Sequence, residues 1–153
     1  MGGFTTDFFA HMEEIDLCWR MARKGWKLGY FGQVTVYHVG GGTLARTSPY
    51  KTYLNFRNNL LMLYGNMTKG GFIGVMLLRF FFDMAASVHF ALSGKAAHAK
   101  EVVKAYRDFF KMRRRPSGDS ALALKLPFQK ANKEVYSVVL SYYLLGRKNY
   151  PEL

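Results

Sequence analysis

Residues 7–20 read Asp-Phe-Phe-Ala-His-Met-Glu-Glu-Ile-Asp-Leu-Cys-Trp-Arg, which places four of the chain's ten acidic residues within its first sixteen positions. The rest of the sequence is strongly basic, and the formal net charge is +12. Carboxylates that repel one another persist where a metal, a cationic partner or a proton-transfer task offsets the repulsion. Taken alone, the cluster fits a plainer role more readily. Carboxylates in the first turn of a helix interact favourably with its dipole, and Asp16 stands four residues before Arg20 as an ion pair along one helix face. His11 and Glu14, one helical turn apart, could form half of a metal site, but so short a pair is weak on its own.

The next segment carries a second chemical pattern. Residues 26–38 predict two short strands around Gly32-Gln33, with Val34, Val36 and His38 on one face. Gly40, Gly41, Gly42 and Thr43 follow directly. Three glycines permit positive φ and close backbone approach, which suits a phosphate-binding turn. His38 at the strand exit fits a metal or phosphate contact and a hydrogen-bonded structural histidine equally well.

The combination is more specific than its parts. Gly2-Gly-Phe-Thr-Thr-Asp-Phe-Phe, Met12-Glu-Glu-Ile-Asp-Leu-Cys-Trp-Arg20, Gly25-Trp-Lys-Leu, Val36-Tyr-His-Val-Gly-Gly-Gly-Thr43 and Tyr53-Leu-Asn-Phe-Arg-Asn-Asn59 together resemble the C-terminal part of a family 2 glycosyltransferase. These blocks cover the first sixty-five or so residues, in the order that family has them. The resemblance implies an inverting enzyme that uses a nucleotide-sugar donor. It also implies a fold that is mostly α with a short β-hairpin, the acceptor-side piece of an α/β GT-A domain followed by amphipathic and hydrophobic helices.

Roles carried over from the family fall on particular positions. Glu14 matches the general base, although the family has Asp there, and Asp16 is its alternative. Glu13 and Trp19 match acceptor-binding positions. Gly40, Gly41, Gly42, Thr43, Arg57 and Asn58 match the diphosphate side, and His38 a metal ligand. The implied cofactor is a divalent metal, Mg or Mn, held mostly by a donor-binding half that the sequence lacks, since it contains no Asp-x-Asp. On this reading the chain is a fragment that is inactive alone. Its implied partners are a nucleotide-sugar donor, a glycan or lipid-linked acceptor and an anionic membrane surface.

The elements that must position these groups are legible in outline. Ser48 and Pro49 announce a helix running to about Asn66, with Ser as N-cap and Pro at the first helical position. Tyr53, Leu54, Leu60, Leu61 and Tyr64 recur at helical spacing, and Arg57 falls within that apolar stripe. A cation there needs a partner. Either the Arg57 stem packs while its head reaches solvent, or Arg57 and Asn58 close over a diphosphate or brace the acidic loop. Residues 1–48 are thus expected to complete a catalytic domain, 49–66 to close it, and 67–153 to form a helical, membrane-associating region.

That last region is apolar and then basic. Residues 72–92 are nearly long enough to cross a bilayer, but Arg79, Asp83 and His89 interrupt them, and charges at the bilayer centre are costly, so an interfacial helix is expected. Residues 96–115 then place Val102, Tyr106, Phe109 and Phe110 on one face and Lys100, Lys104, Arg107 and Lys111 on the other. A basic amphipathic helix suits anionic headgroups on the cytoplasmic face of a membrane. Residues 95–148 hold +9 of the net charge. Residues 116–120 read as a linker and 132–145 as a further helix. Cys18 alone excludes an internal disulfide. Nucleic-acid binding is disfavoured because it leaves the acidic loop without a role. The rival reading is a non-catalytic, membrane-associated basic helical protein.

Overall fold

The computed structural model describes residues 2–37, 44–45 and 47–113. They form a short 3₁₀ turn at Thr6–Phe8 and four helices: α1 Glu13–Arg23, α2 Pro49–Asn66, α3 Lys69–Leu92 and α4 Ala96–Met112. The start of α1 has no side-chain cap. Glu13, Glu14 and Asp16 in its first turn offset the unpaired N–H groups electrostatically instead. Its end is fixed by local hydrogen bonds. Gly25, at φ 79°, donates to Ala22 O at 2.9 Å, and Trp26 N–H donates back to Met21 O at 3.1 Å, the pairing that lets a glycine at positive φ close a helix.

Helix α2 carries proline at its first position, where the missing N–H costs nothing. Its buried stripe packs on α4, and α4 packs on α3. Leu60, Phe72, Tyr106 and Phe109 form one core cluster, and Tyr53, Leu54 and Ala105 a second. The Tyr64 ring meets Phe72 and Phe109 edge-on, with centroids 5.3 and 5.9 Å away, a geometry that adds to simple burial. The turn between α3 and α4 is short, so the two helices run antiparallel, with Gly94 at φ 75° making the reversal.

The expected β-hairpin and α/β GT-A piece are absent: the described residues contain no strand. At Gly32-Gln33 the turn does form, and Val34 N–H bonds to Phe31 O at 3.1 Å. No ladder grows from it. Tyr30 and Tyr37 are 93% and 94% exposed, and Leu28, Val34 and Val36 are exposed as well. A two-stranded hairpin is marginal without a surface to bury one face, and alternation alone supplies none. The linker at 116–120 and the helix at 132–145 lie outside the described residues.

Candidate functional site

Two polar fasteners shape the N-terminal end. The first is built on Asp16 and Arg20, both almost fully buried. Arg20 Nε bonds to Asp16 Oδ2 at 2.8 Å, and its guanidinium also donates to Gly3 O at 2.6 Å. Thr5 Oγ1 donates to the same Asp16 oxygen at 2.8 Å, and Asn66 Nδ2 donates to the other at 2.7 Å. One ion pair thereby ties residues 3–5 to α1 and the far end of α2. A buried ion pair holds only when its remaining lone pairs are satisfied, and here both carboxylate oxygens are engaged.

The second fastener is Arg57 with Asn58, at the middle of α2. Asn58 Nδ2 lies within 2.7 to 2.9 Å of the carbonyls of Phe8, Ala10 and His11. Arg57 donates to Asp7 O at 2.8 Å and to Asn58 Oδ1 at 2.7 Å. These contacts hold a backbone that the residues would not adopt freely. Phe9 sits at φ 62°, ψ −54°, the centre of a γ-turn closed by Ala10 N–H to Phe8 O at 2.7 Å. His11 and Met12 are at φ 70° and 72°. Such conformations cost about 1–2 kcal/mol each for a residue with a Cβ. The carbonyl bonds from α2, worth net about 1 kcal/mol each, offset a cost of that size.

The braced loop and the first turn of α1 border an open surface pocket of about 370 Å³ lined by Phe4, Thr5, Thr6, Phe9, Glu13 and Glu14. Glu14 is exposed. Glu13 has Oε2 sealed from solvent without a hydrogen-bond partner, as has His11 at Nε2. Unpaired buried polar atoms are uncommon and costly. Phe4 and Phe9, more than half exposed, form apolar walls. The pocket thus offers the Glu14 carboxylate, the Thr6 hydroxyl and two aromatic faces, a set suited to a hydroxylated ring.

The sequence-predicted residues divide clearly. Glu13 and Glu14 meet in the pocket, whereas Asp16 is turned inward and saturated with donors, which gives it a structural role. Arg57 and Asn58 brace the acidic loop from within; they are buried and occupied by backbone carbonyls rather than open to a diphosphate. Trp19 lies partly buried on α1 and does not line the pocket. His38, Gly40, Gly41, Gly42 and Thr43 lie outside the described residues. Among the described residues no three His, Cys, Asp or Glu side chains converge as a metal site. Thr5, Phe9 and Asn66 were missed by spacing arguments. Asn66 acts on a carboxylate fifty positions away, beyond the reach of any local pattern.

A separate face belongs to α3 and α4. Helix α3 is long and apolar enough to cross a membrane, with mean hydropathy 1.6 over its most apolar stretch, and 17% of that stretch is buried. Ile73, Leu77, Leu78, Phe81, Phe82, Val88 and Leu92 are exposed along it. Arg79 and Asp83, in its middle, face the neighbouring helices. Asp83 accepts from Arg79 Nε at 2.9 Å and from Tyr106 Oη at 2.7 Å, and Arg79 also bonds to Asn59. Burial, reinforced by Asp83, pushes the Tyr106 phenol well above its ordinary range. Along α4, Lys100, Arg107 and Lys111 remain exposed.

No family model, curated protein or solved structure matches the chain. The glycosyltransferase resemblance therefore rests on the short motifs alone.

Proposed function

We propose that the chain supplies the acceptor-side carboxylate of an inverting sugar transferase working at a membrane surface. The observation that carries this reading is the pocket in which Glu13 and Glu14 face Phe4, Phe9, Thr5 and Thr6 on a loop held in a strained form. In the step envisaged, the Glu14 carboxylate takes the proton of an acceptor hydroxyl. The freed oxygen attacks the anomeric carbon of the donor as the bond to the nucleoside diphosphate breaks, inverting that centre. Phe4 and Phe9 offer faces for the acceptor ring, and the exposed Thr6 hydroxyl can bond to its substituents.

The packing of α4 favours attachment to one leaflet. Helix α4 lies along α3 from the Phe72–Phe109 contact to Ser87, whose hydroxyl donates to Ala99 O at 3.1 Å. If α3 crossed the bilayer, it would draw Lys100, Arg107 and Lys111 into the hydrocarbon, at several kcal/mol in all. Lying in the interface, α3 buries its apolar face while the cations stay among headgroups. The expectation that Arg79 and Asp83 themselves oppose insertion is replaced by this argument, because their charges are already paired inside the bundle.

The test is transfer from a panel of radiolabelled nucleotide sugars to lipid and glycan acceptors, in membranes of the cell that makes the protein. Glu14→Gln lowers turnover by roughly 10²–10⁴-fold, as expected for a lost general base, while donor affinity is nearly unchanged. Full activity in Glu14→Gln, or no transfer across the panel, overturns the proposal. The rival reading, a non-catalytic membrane protein, predicts the second result.

A further inference from the structure

The cationic side of α4 is not a uniform stripe. Along α4, reaching α3 at Ser87, runs a shallow open groove of about 480 Å³ whose lining includes Ser87, Ala99, Lys100, Val103, Lys104 and Arg107. Ser87 and Ala99 are small and stand where the two helices touch, which leaves the space open. Three cations border it against one carboxylate, Glu101, which pairs with Lys104 at 3.5 Å. Arg107 meets Asp108 through Nε at 3.3 Å, leaving its terminal nitrogens for another acceptor. Lys100 has no ion pair among the described residues. The groove therefore holds an excess of positive charge suited to one phosphate.

Its surroundings select the kind of phosphate. Val103 and Phe110 are three residues before and four after Tyr106, which touches α3 through Phe80 and Asp83, so they lie on the α3 side of the cations. Both are exposed. Moving across the face, one passes from the exposed Leu77 and Phe81 of α3 to Val103 and Phe110, and then to Lys100, Arg107 and Lys111. That order, apolar to cationic over neighbouring rows, complements a molecule with acyl chains on one side of a phosphate. A free phosphate or a nucleic-acid backbone would leave the apolar rows uncovered.

We infer that the α3–α4 groove is a binding site for a single anionic phospholipid, its phosphate between Lys100 and Arg107 and its chains along α3. This rests on the membrane-surface part of the proposed function but not on catalysis. A diffuse electrostatic attraction needs only charge. A site needs the groove itself to be open.

Flotation with vesicles of phosphatidylcholine, with or without phosphatidylglycerol, separates the two at fixed ionic strength. Ala99→Leu fills the groove without altering charge and lowers affinity for phosphatidylglycerol vesicles about tenfold. Lys100→Gln with Arg107→Gln lowers it about thirtyfold. Neither change affects binding to phosphatidylcholine alone, and circular dichroism verifies that both variants are folded. Wild-type binding by folded Ala99→Leu overturns the site in favour of a diffuse field. Displacement by inorganic phosphate as readily as by a soluble short-chain phosphatidylglycerol overturns the lipid as occupant, and so does displacement by an oligonucleotide. Transfer activity is not read, so failure here leaves the catalytic proposal standing, and the reverse also holds.

Discussion

Asn58 carries more structure than its size suggests, because its single amide group reaches three carbonyls of the loop that leads into α1. Asn58→Leu takes the amide donor from the part-buried Ala10 and His11 carbonyls and one of several donors from Phe8 O, and is expected to destabilise the fold by about 2 kcal/mol or more, measured by urea unfolding. Asn58→Ala leaves a space that water can enter, and costs less. Equal costs for the two would mean that the carbonyls are not truly sealed. Part of this arrangement was legible. Arg57 in an apolar stripe announced a cation in need of partners, and Asp16 with Arg20 announced an i,i+4 pair. What could not be read was direction. Whether Arg57 served a ligand or the chain's own backbone depended on carbonyls about fifty residues earlier. The burial of Asp16 depended on Asn66, at the far end of another helix.

At the scale of elements, the helices announced themselves and the hairpin did not form. Pro49 and the long apolar run each act through local chemistry, so their consequences were readable from neighbours. Strand pairing depends on a surface that the sequence of the strand does not contain, and residues 26–37 found none. The inward turn of Arg79 and Asp83 was similarly hidden, since it depends on Tyr106 of the next helix. That contact makes a pH prediction. Burial raises the phenols of both Tyr106 and Tyr53 above the unfolded value of 10.0. The stability they contribute is therefore complete below pH 10.0 and declines as pH rises beyond it, because the unfolded chain releases those protons first. Tyr106→Phe should lose about 2 kcal/mol at neutral pH through the missing bond to Asp83. Its stability should then fall less steeply than wild type under alkaline conditions. Parallel slopes in denaturant titrations would show that the alkaline decline comes from other groups.

For the whole molecule, a bundle packed through α2 and α4 has a flank it does not need. Leu77 and Phe81 are 62% and 71% exposed, so Leu77→Glu with Phe81→Glu should leave thermal stability nearly unchanged, as surface changes do. The same pair should abolish flotation with every vesicle type. A large fall in melting temperature would instead identify the flank as buried in the native assembly. The basic excess of the sequence raised the expectation of an anionic partner. Only the packing of α4 beside α3 indicated how that partner and the apolar helix could be served together.

The γ-turn at Phe9 bears on how this sequence was selected. Glycine adopts φ 62° without the penalty a Cβ brings, so Phe9→Gly should raise stability by about 1 kcal/mol, and His11→Gly or Met12→Gly should approach the same gain where their side chains make little contact. Selection for a robust fold would have favoured glycine at such positions. The chain keeps a phenylalanine, a histidine and a methionine there instead, in a loop that α2 must hold in place. A screen for thermostable variants should thus return glycine at position 9. Those survivors would lack one aromatic wall of the acidic pocket, so the gain in melting temperature would come with weaker retention of whatever that wall contacts.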